Sequence, residues 1–264
     1  MRVCRGLVAA LGMLSVLPAA RGRAPEPEDL AAAVPFFPVV GGLFGLVLWG
    51  AYRGLEAAGL PDPVRGALLT VLLVLLTGGL HLDGLADTCD GLAGTTRERR
   101  LAIMADTATG AFGVVGVACL LLVKAAALSA LEAAAALPAL VLAPVLGRWA
   151  MVLALFAFPY ARGQSGLGYH FKEGARWPAL VVATAFAAAP ALALLPAGTA
   201  AGAVGLAGVV TLGLGRWMSA RLGGLTGDVY GAVCEVVETA TLITVPLLVR
   251  TAGLINSHSG HGVI

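Results

Sequence analysis

Long uninterrupted blocks of Ala, Leu, Val and Gly, with no strand-like alternation, constrain this chain most. Seven such segments can be drawn, at about 34–52, 66–82, 110–131, 139–158, 179–195, 200–214 and 237–252. The sixth, short and Gly-rich, is the weakest. Stretches of this length and composition suit helices that cross a bilayer, where every backbone polar group must be satisfied within its own segment. Only 12% of the 264 residues are charged, about half the share of a soluble domain. The expected fold is all-α: a polytopic membrane bundle of about seven transmembrane helices, forming one integral membrane domain over residues 1–264. The run Gly6–Leu17 between Arg5 and Pro18 is too short to span and reads as an interfacial or re-entrant helix within a 1–30 N-terminal segment. Pro18-Ala19-Ala20 is a weak match to a signal-peptide cleavage site. Residues 255–264, with His258 and His261, read as a disordered, solvated tail.

Basic residues orient the bundle. With the N-terminus in the cytoplasm, twelve fall on the cytoplasmic side: Arg2, Arg5, Arg21, Arg23, Arg97, Arg99, Arg100, Arg162, Lys172, Arg176, Arg216 and Arg221. Three, Arg53, Arg65 and Arg250, fall outside. The expected arrangement is therefore a multi-pass protein with the basic-rich loops facing the cytoplasm and the lipid bilayer as one partner. A net charge of +2 is too small to suggest nucleic acid. Cys4, Cys89, Cys119 and Cys234 are far apart and imply neither zinc nor disulfides. No internal repeat points to a transporter built from paired halves, and a homo-oligomer is left open.

The chemistry-bearing residues lie on the cytoplasmic side. His81-Leu-Asp83-Gly-Leu-Ala-Asp87-Thr-Cys-Asp90-Gly91 carries three carboxylates at i, i+4 and i+7, one helical face. At about 6 Å and an effective dielectric near 20, two ionised neighbours repel by roughly 3 kcal/mol. Some therefore stay protonated, or a cation sits among them, and oxygen clusters of this kind suit Mg²⁺ completed by water and substrate phosphates. Three ionised Asp at mid-membrane would cost about 7–10 kcal/mol, which places them at the mouth of the second segment or in a wet cavity. Asp106, before the third segment, reads equally as a helix cap or as a fourth ligand. Thr226, Asp228, Glu235 and Glu238 form a second polar cluster. Lys124 and Arg148, alone inside apolar runs, are candidate partners for its acids, and structural ion pairing competes there with a binding role. Arg162, among glycines, suits a pyrophosphate.

The block Gly78-Gly79-Leu80-His81-Leu82-Asp83-Gly84-Leu85-Ala86-Asp87-Thr88-Cys89-Asp90-Gly91 closely resembles the signature of the cobalamin synthase (adenosylcobinamide-GDP ribazoletransferase) family. Further matches follow in order: Phe37-Pro38-x-x-Gly41, Ile103-Met104 with Asp106, Gly110 and Gly113, Tyr160-Ala-Arg162 with Gly166-Leu-Gly168, and Gly223-Gly-x-Thr226-Gly-Asp228 with Glu235 and Glu238. The resemblance runs from about residue 35 to 240. It implies transfer of the adenosylcobinamide-phosphate moiety of adenosylcobinamide-GDP to α-ribazole or its 5′-phosphate, with release of GMP and with Mg²⁺ as cofactor. It assigns Asp83, Asp87, Asp90 and Asp106 to the metal, one of the first three accepting a proton. His81, Lys124, Arg148, Arg162, Thr226, Asp228, Glu235 and Glu238 are expected on the substrates, Asp228, Glu235 and Glu238 holding ribazole or a second metal. Ala105 and Ala108 depart from the family, which carries basic residues on both sides of the aspartate, and make Lys124 and Arg148 the expected replacements.

Three rivals stand beside this reading, two of them enzymes and the third of a different class. A CDP-alcohol phosphotransferase shares Asp87-x-x-Asp90-Gly91, but Gly94-Thr95 stands where Ala-Arg is required and the later paired aspartates are missing. Membrane prenyltransferases also use two Asp-rich clusters, at another spacing. A cation-coupled transporter predicts an acidic site near mid-bilayer and no nucleotide product.

Overall fold

The structure is a computed structural model, and it describes residues 2–17, 26–163 and 167–259. Pro18-Ala19-Ala20, Arg21, Arg23, Gln164–Gly166 and His261 lie outside the described residues. The chain is helical: α1 (Arg2–Leu14), α2 (Pro27–Ala33), a 3-10 turn (Val34–Phe36), α3 (Phe37–Ala57), α4 (Asp62–Thr77), α5 (Leu80–Gly91), α6 (Arg97–Ile103), α7 (Ala111–Ser129), α8 (Ala133–Ala157), α9 (Leu167–Gly174), α10 (Trp177–Leu194), α11 (Ala197–Leu222) and α12 (Gly227–Ser259). Six helical stretches among the described residues are long and apolar enough to cross a membrane, and a seventh if α4 and α5 count as one broken span.

Residues that are apolar on every side belong in the middle of a bundle. Helix α8 fits that rule: nearly all of it is buried, against α3, α12, α10 and α11. By contrast α7, α10 and α11 turn large apolar side chains outward, among them Phe112, Leu122, Trp177 and Val209. An exposed apolar band of this extent is the surface a lipid phase would cover.

The seven segments correspond to helices with longer bounds. The first is Pro27–Ala57, and the Gly-rich sixth is the 26-residue Ala197–Leu222. The last begins at Gly227 rather than 237, which draws Glu235 and Glu238 inside the helix, and it continues to Ser259 through part of the expected tail. The second differs in kind. Helix α4 stops at Thr77, and Gly78 and Gly79 both adopt left-handed backbone angles, φ 63° and 73°. Glycine reaches that region without a Cβ clash. The chain restarts as α5, bent by 92° from α4. The acidic motif therefore occupies a helix of its own. Helix α1 packs on α2 and α3, and the Val16 N–H donates to the Leu76 carbonyl at 3.0 Å, so the N-terminal segment ends beside the α4–α5 break.

Candidate active site

Helix α5 is seated between α7 and α12, and each contact explains a motif residue. On the α12 side, Gly84 meets Asp228 and His81 meets Gly231. Rising numbers on α5 face falling numbers on α12, so the two helices run antiparallel here. A Cβ on Gly84 would stand 2.7 Å from the Asp228 carbonyl oxygen, and only glycine permits that approach. On the α7 side, Asp90 accepts from the Gly110 N–H at 2.7 Å and from the Gly113 N–H at 2.8 Å. The first N–H groups of a helix have no partner within it, and Asp90 supplies one from a different helix. This buried carboxylate clasps α5 to α7.

The loops after α8 and α11 complete the site. Ala161 N–H donates to the Leu225 carbonyl and Leu225 N–H to the Pro159 carbonyl, both at 2.8 Å. Arg97 staples the pair: its guanidinium donates to the carbonyls of Leu222, at 2.6 Å, and Ala161, at 3.1 Å. The basic run at 97–100, expected to act on topology, thus also has a structural task. Arg162 is then placed to donate to Asp228 at 2.9 Å and to the Met104 carbonyl at 3.1 Å. Thr226 donates to the same Asp228 carboxylate at 3.1 Å and accepts from the Val229 N–H, holding the start of α12.

These elements enclose a cavity of about 440 Å³. Asp83, Asp228, Arg162, Tyr160, His81 and Tyr230 supply its polar wall, and Phe37, Phe171, Met13, Leu14, Met151 and Leu155 much of its apolar wall. Asp83, Met13 and Leu80 also border a second, more open cleft of about 660 Å³ beside Gly78 and Gly79. A carboxylate shared by two hollows can touch two ligands at once. Asp87, one turn on from Asp83, is half-buried and within electrostatic reach of Asp228, Asp83, Asp90 and Arg162. Burial pushes the Tyr160 phenol above its ordinary value, with Arg162 lowering it and Asp228 raising it again, so the hydroxyl keeps its proton at neutral pH.

The expected metal set divides. Asp83 is on the acidic wall, and Asp87 lies within electrostatic reach of it. Asp90 spends both oxygens on backbone N–H groups, and exposed Asp106 accepts from the Ala108 N–H at 3.0 Å as a local cap. Among the described residues, no three His, Cys, Asp or Glu side chains converge as ligands of one ion. What the wall does hold is an excess of carboxylate over its one guanidinium, a hard-oxygen surface complementary to a divalent cation that takes its remaining ligands from water and phosphate.

The second expected cluster divides too. Asp228 and Thr226 stay at the cavity end, whereas Glu235 and Glu238 turn into the bundle. Lys124 donates to Glu235 at 2.5 Å and to Glu238 at 2.6 Å, and Arg148 donates to the other oxygen of Glu238. All four side chains are 5% exposed or less. Lys124 and Arg148, expected to stand in for basic residues at Ala105 and Ala108, are thus engaged with these acids inside the bundle, and neither lines the cavity. The reason is energetic: a cation inside apolar helices takes the nearest anion. This pairing also fills the mid-span acidic position that a cation-coupled transporter would need open. Tyr230 carried no signal beyond ordinary helix composition, whereas Tyr160 was marked only as part of the Tyr160-Ala-Arg162 match and Arg97 only by its basic run.

A profile of the cobalamin-5-phosphate synthase family matches residues 6–246. Among similar curated proteins, the adenosylcobinamide-GDP ribazoletransferase of Desulforamulus reducens is 38% identical over 247 residues, covering 90% of this chain and 94% of that protein. The enzyme of the same name from Roseiflexus sp. is 42% identical, covering 90% and 88%. That from Pseudomonas fluorescens is 40% identical, covering 90% and 98%. No solved structure matches the chain.

Proposed function

From the premise that this chain belongs to the cobalamin-5-phosphate synthase family, we propose that it joins adenosylcobinamide-GDP to α-ribazole or α-ribazole 5′-phosphate and releases GMP. The observation that carries this reading is the placing of Asp83, Asp228 and Arg162 on the wall of one cavity. An alcohol acceptor requires a base, and a diphosphate donor requires positive charge. Both stand here within a single hollow.

In the reaction, a ribose hydroxyl oxygen bonds to the phosphorus on the cobinamide side of the diphosphate. The bond from that phosphorus to the bridging oxygen breaks, and GMP leaves with that oxygen. Asp83, reaching both hollows, takes the hydroxyl proton. Arg162 meets phosphate oxygens, held in place by Asp228 and the Met104 carbonyl. Tyr160 adds a protonated hydroxyl to the same wall. Asp83 and Asp87 would hold Mg²⁺, which when bound supplies charge neutralisation for the diphosphate and the departing GMP. The smaller acceptor takes the enclosed cavity, and the corrinoid donor approaches through the open cleft. Catalysis on this account is mainly positioning and charge stabilisation.

Arg97 and Arg162, both on the basic-rich side by sequence, stand at the cavity end of the bundle, which favours a cytoplasmic-membrane protein with its site facing the cytoplasm. The test is direct. Protein purified in detergent, given adenosylcobinamide-GDP, α-ribazole and Mg²⁺, releases one GMP per cobamide formed, and excess EDTA stops it. Acceptor-independent GMP release, or unchanged turnover in EDTA, would refute the transfer or the metal respectively.

A further inference from the structure

Two polar side chains on the cavity wall have no partner. The His81 ring, 1% exposed, leaves both Nδ1 and Nε2 without a hydrogen bond, and the hydroxyl of Tyr230, 3% exposed, is equally unmet. Buried polar groups are nearly always paired, and an orphan at a ligand site asks what completes it. Both line the same cavity. The His81 backbone packs on Gly231, the residue after Tyr230, one turn along the α5–α12 contact from Gly84 and Asp228. The cavity lining thus carries its charges at Asp83, Asp228 and Arg162; the rest of it, the neutral end, presents His81 and Tyr230 among apolar side chains, with the ion-paired Arg148, Glu238 and Lys124 within electrostatic reach of His81.

The ligand suited to the neutral end is planar, largely apolar, and carries a lone-pair nitrogen with no competing donor. Charged or amide-bearing rings would bring groups the apolar wall cannot satisfy. The geometry points to this end as the seat of the acceptor nucleoside's aromatic base, with the ring nitrogen not bonded to the sugar accepting a hydrogen bond from one of these two groups, His81 or Tyr230. The sugar then extends toward Asp83, two residues on in α5 and on the lining of the same cavity. This rests on the transferase reading above and adds to it the residues that select the acceptor. His81 becomes a base-reading residue rather than part of the acidic chemistry beside it in sequence.

The test compares two acceptors, α-ribazole and the same riboside with its free ring nitrogen replaced by C–H, a dimethylindole. A site built around a hydrogen bond rejects an analogue that lacks it by large factors, so wild-type protein should prefer the azole by about 100-fold in kcat/KM. The combined variant His81→Leu, Tyr230→Phe should bring that ratio below about 5, with the KM for adenosylcobinamide-GDP within about twofold of wild type. A merely structural role would lower both acceptors alike. A ratio unchanged in the combined variant overturns the assignment. Fluorescence titration of each riboside alone onto detergent-purified protein separates the two levels of the account. If wild type makes no GMP yet binds the azole over the indole, with Tyr230→Phe narrowing the gap at least tenfold, the transferase reading fails and the base seat stands. Equal affinity for both ribosides, or none for either, overturns the seat. The same titration on Tyr230→Phe decides the matter should the combined variant not fold.

Discussion

Replacing Lys124 by Met removes one of the two cations from a buried group of two cations and two anions. Glu235 loses its 2.5 Å partner, and Glu238 keeps only Arg148. Net charge inside the bundle goes from zero to minus one, or a proton must be taken up. Breaking a buried pair by deleting one partner costs about 3–5 kcal/mol, whereas removing both partners is often close to neutral. For a domain of this size, 1 kcal/mol moves the midpoint by about 2–4 °C, so Lys124→Met should lower it by about 6–20 °C. Lys124→Met with Glu235→Gln, which leaves the neutral Arg148–Glu238 pair, should recover at least half of that loss. The assay is thermal unfolding in detergent followed by size-exclusion chromatography, with GMP release normalised to folded protein. Activity per folded molecule should stay within about threefold of wild type in the double variant. A Lys124→Met midpoint within about 2 °C of wild type, or a raised KM for the donor with stability intact, would refute the structural role and return Lys124 to the phosphates.

Asp90→Ala strips two N–H groups of α7 of their acceptor and should cost about 1–3 kcal/mol, read as a lowered unfolding midpoint; Asp90→Asn, which keeps one acceptor, should cost less. Gly84→Ala places a Cβ 2.7 Å from the Asp228 carbonyl oxygen, forcing α5 away from α12. Its kcat should fall at least about tenfold, since small misplacements at a reacting centre are costly. For orientation, single cysteines at Asp62 and at Arg99 in a cysteine-free background should differ in whole cells: an impermeant maleimide should label the first and spare the second.

The helical membrane class was legible because composition alone excludes the alternatives, and six of the seven drawn segments are single helical stretches. The α4–α5 break was not. Its cause, paired left-handed glycines at 78 and 79, looks in sequence like the tail of an apolar run, and the 92° bend is a property of backbone angles. Asp83, Asp228 and Arg162, singled out by residue type and spacing, line one cavity. Asp90 shares their helical face by spacing, yet its oxygens are committed to residues 20 and 23 positions later. No periodicity reports a contact of that separation. Lys124 and Arg148 were identifiable as cations needing anions, and the competing ion-pair reading describes where they lie. Tyr230 is an ordinary residue in an apolar helix until its hydroxyl is found without a partner.

The most direct test is the number of GMP molecules released per folded molecule by Asp83→Asn, measured against wild type with both substrates and Mg²⁺ saturating. The carboxylate shared by the two hollows is the group on which acceptor and donor meet. The account predicts a loss of at least about a hundredfold, the scale of a missing general base, with the unfolding midpoint unchanged because the exposed Asp83 side chain is not part of the bundle's packing. Turnover within about threefold of wild type would contradict it.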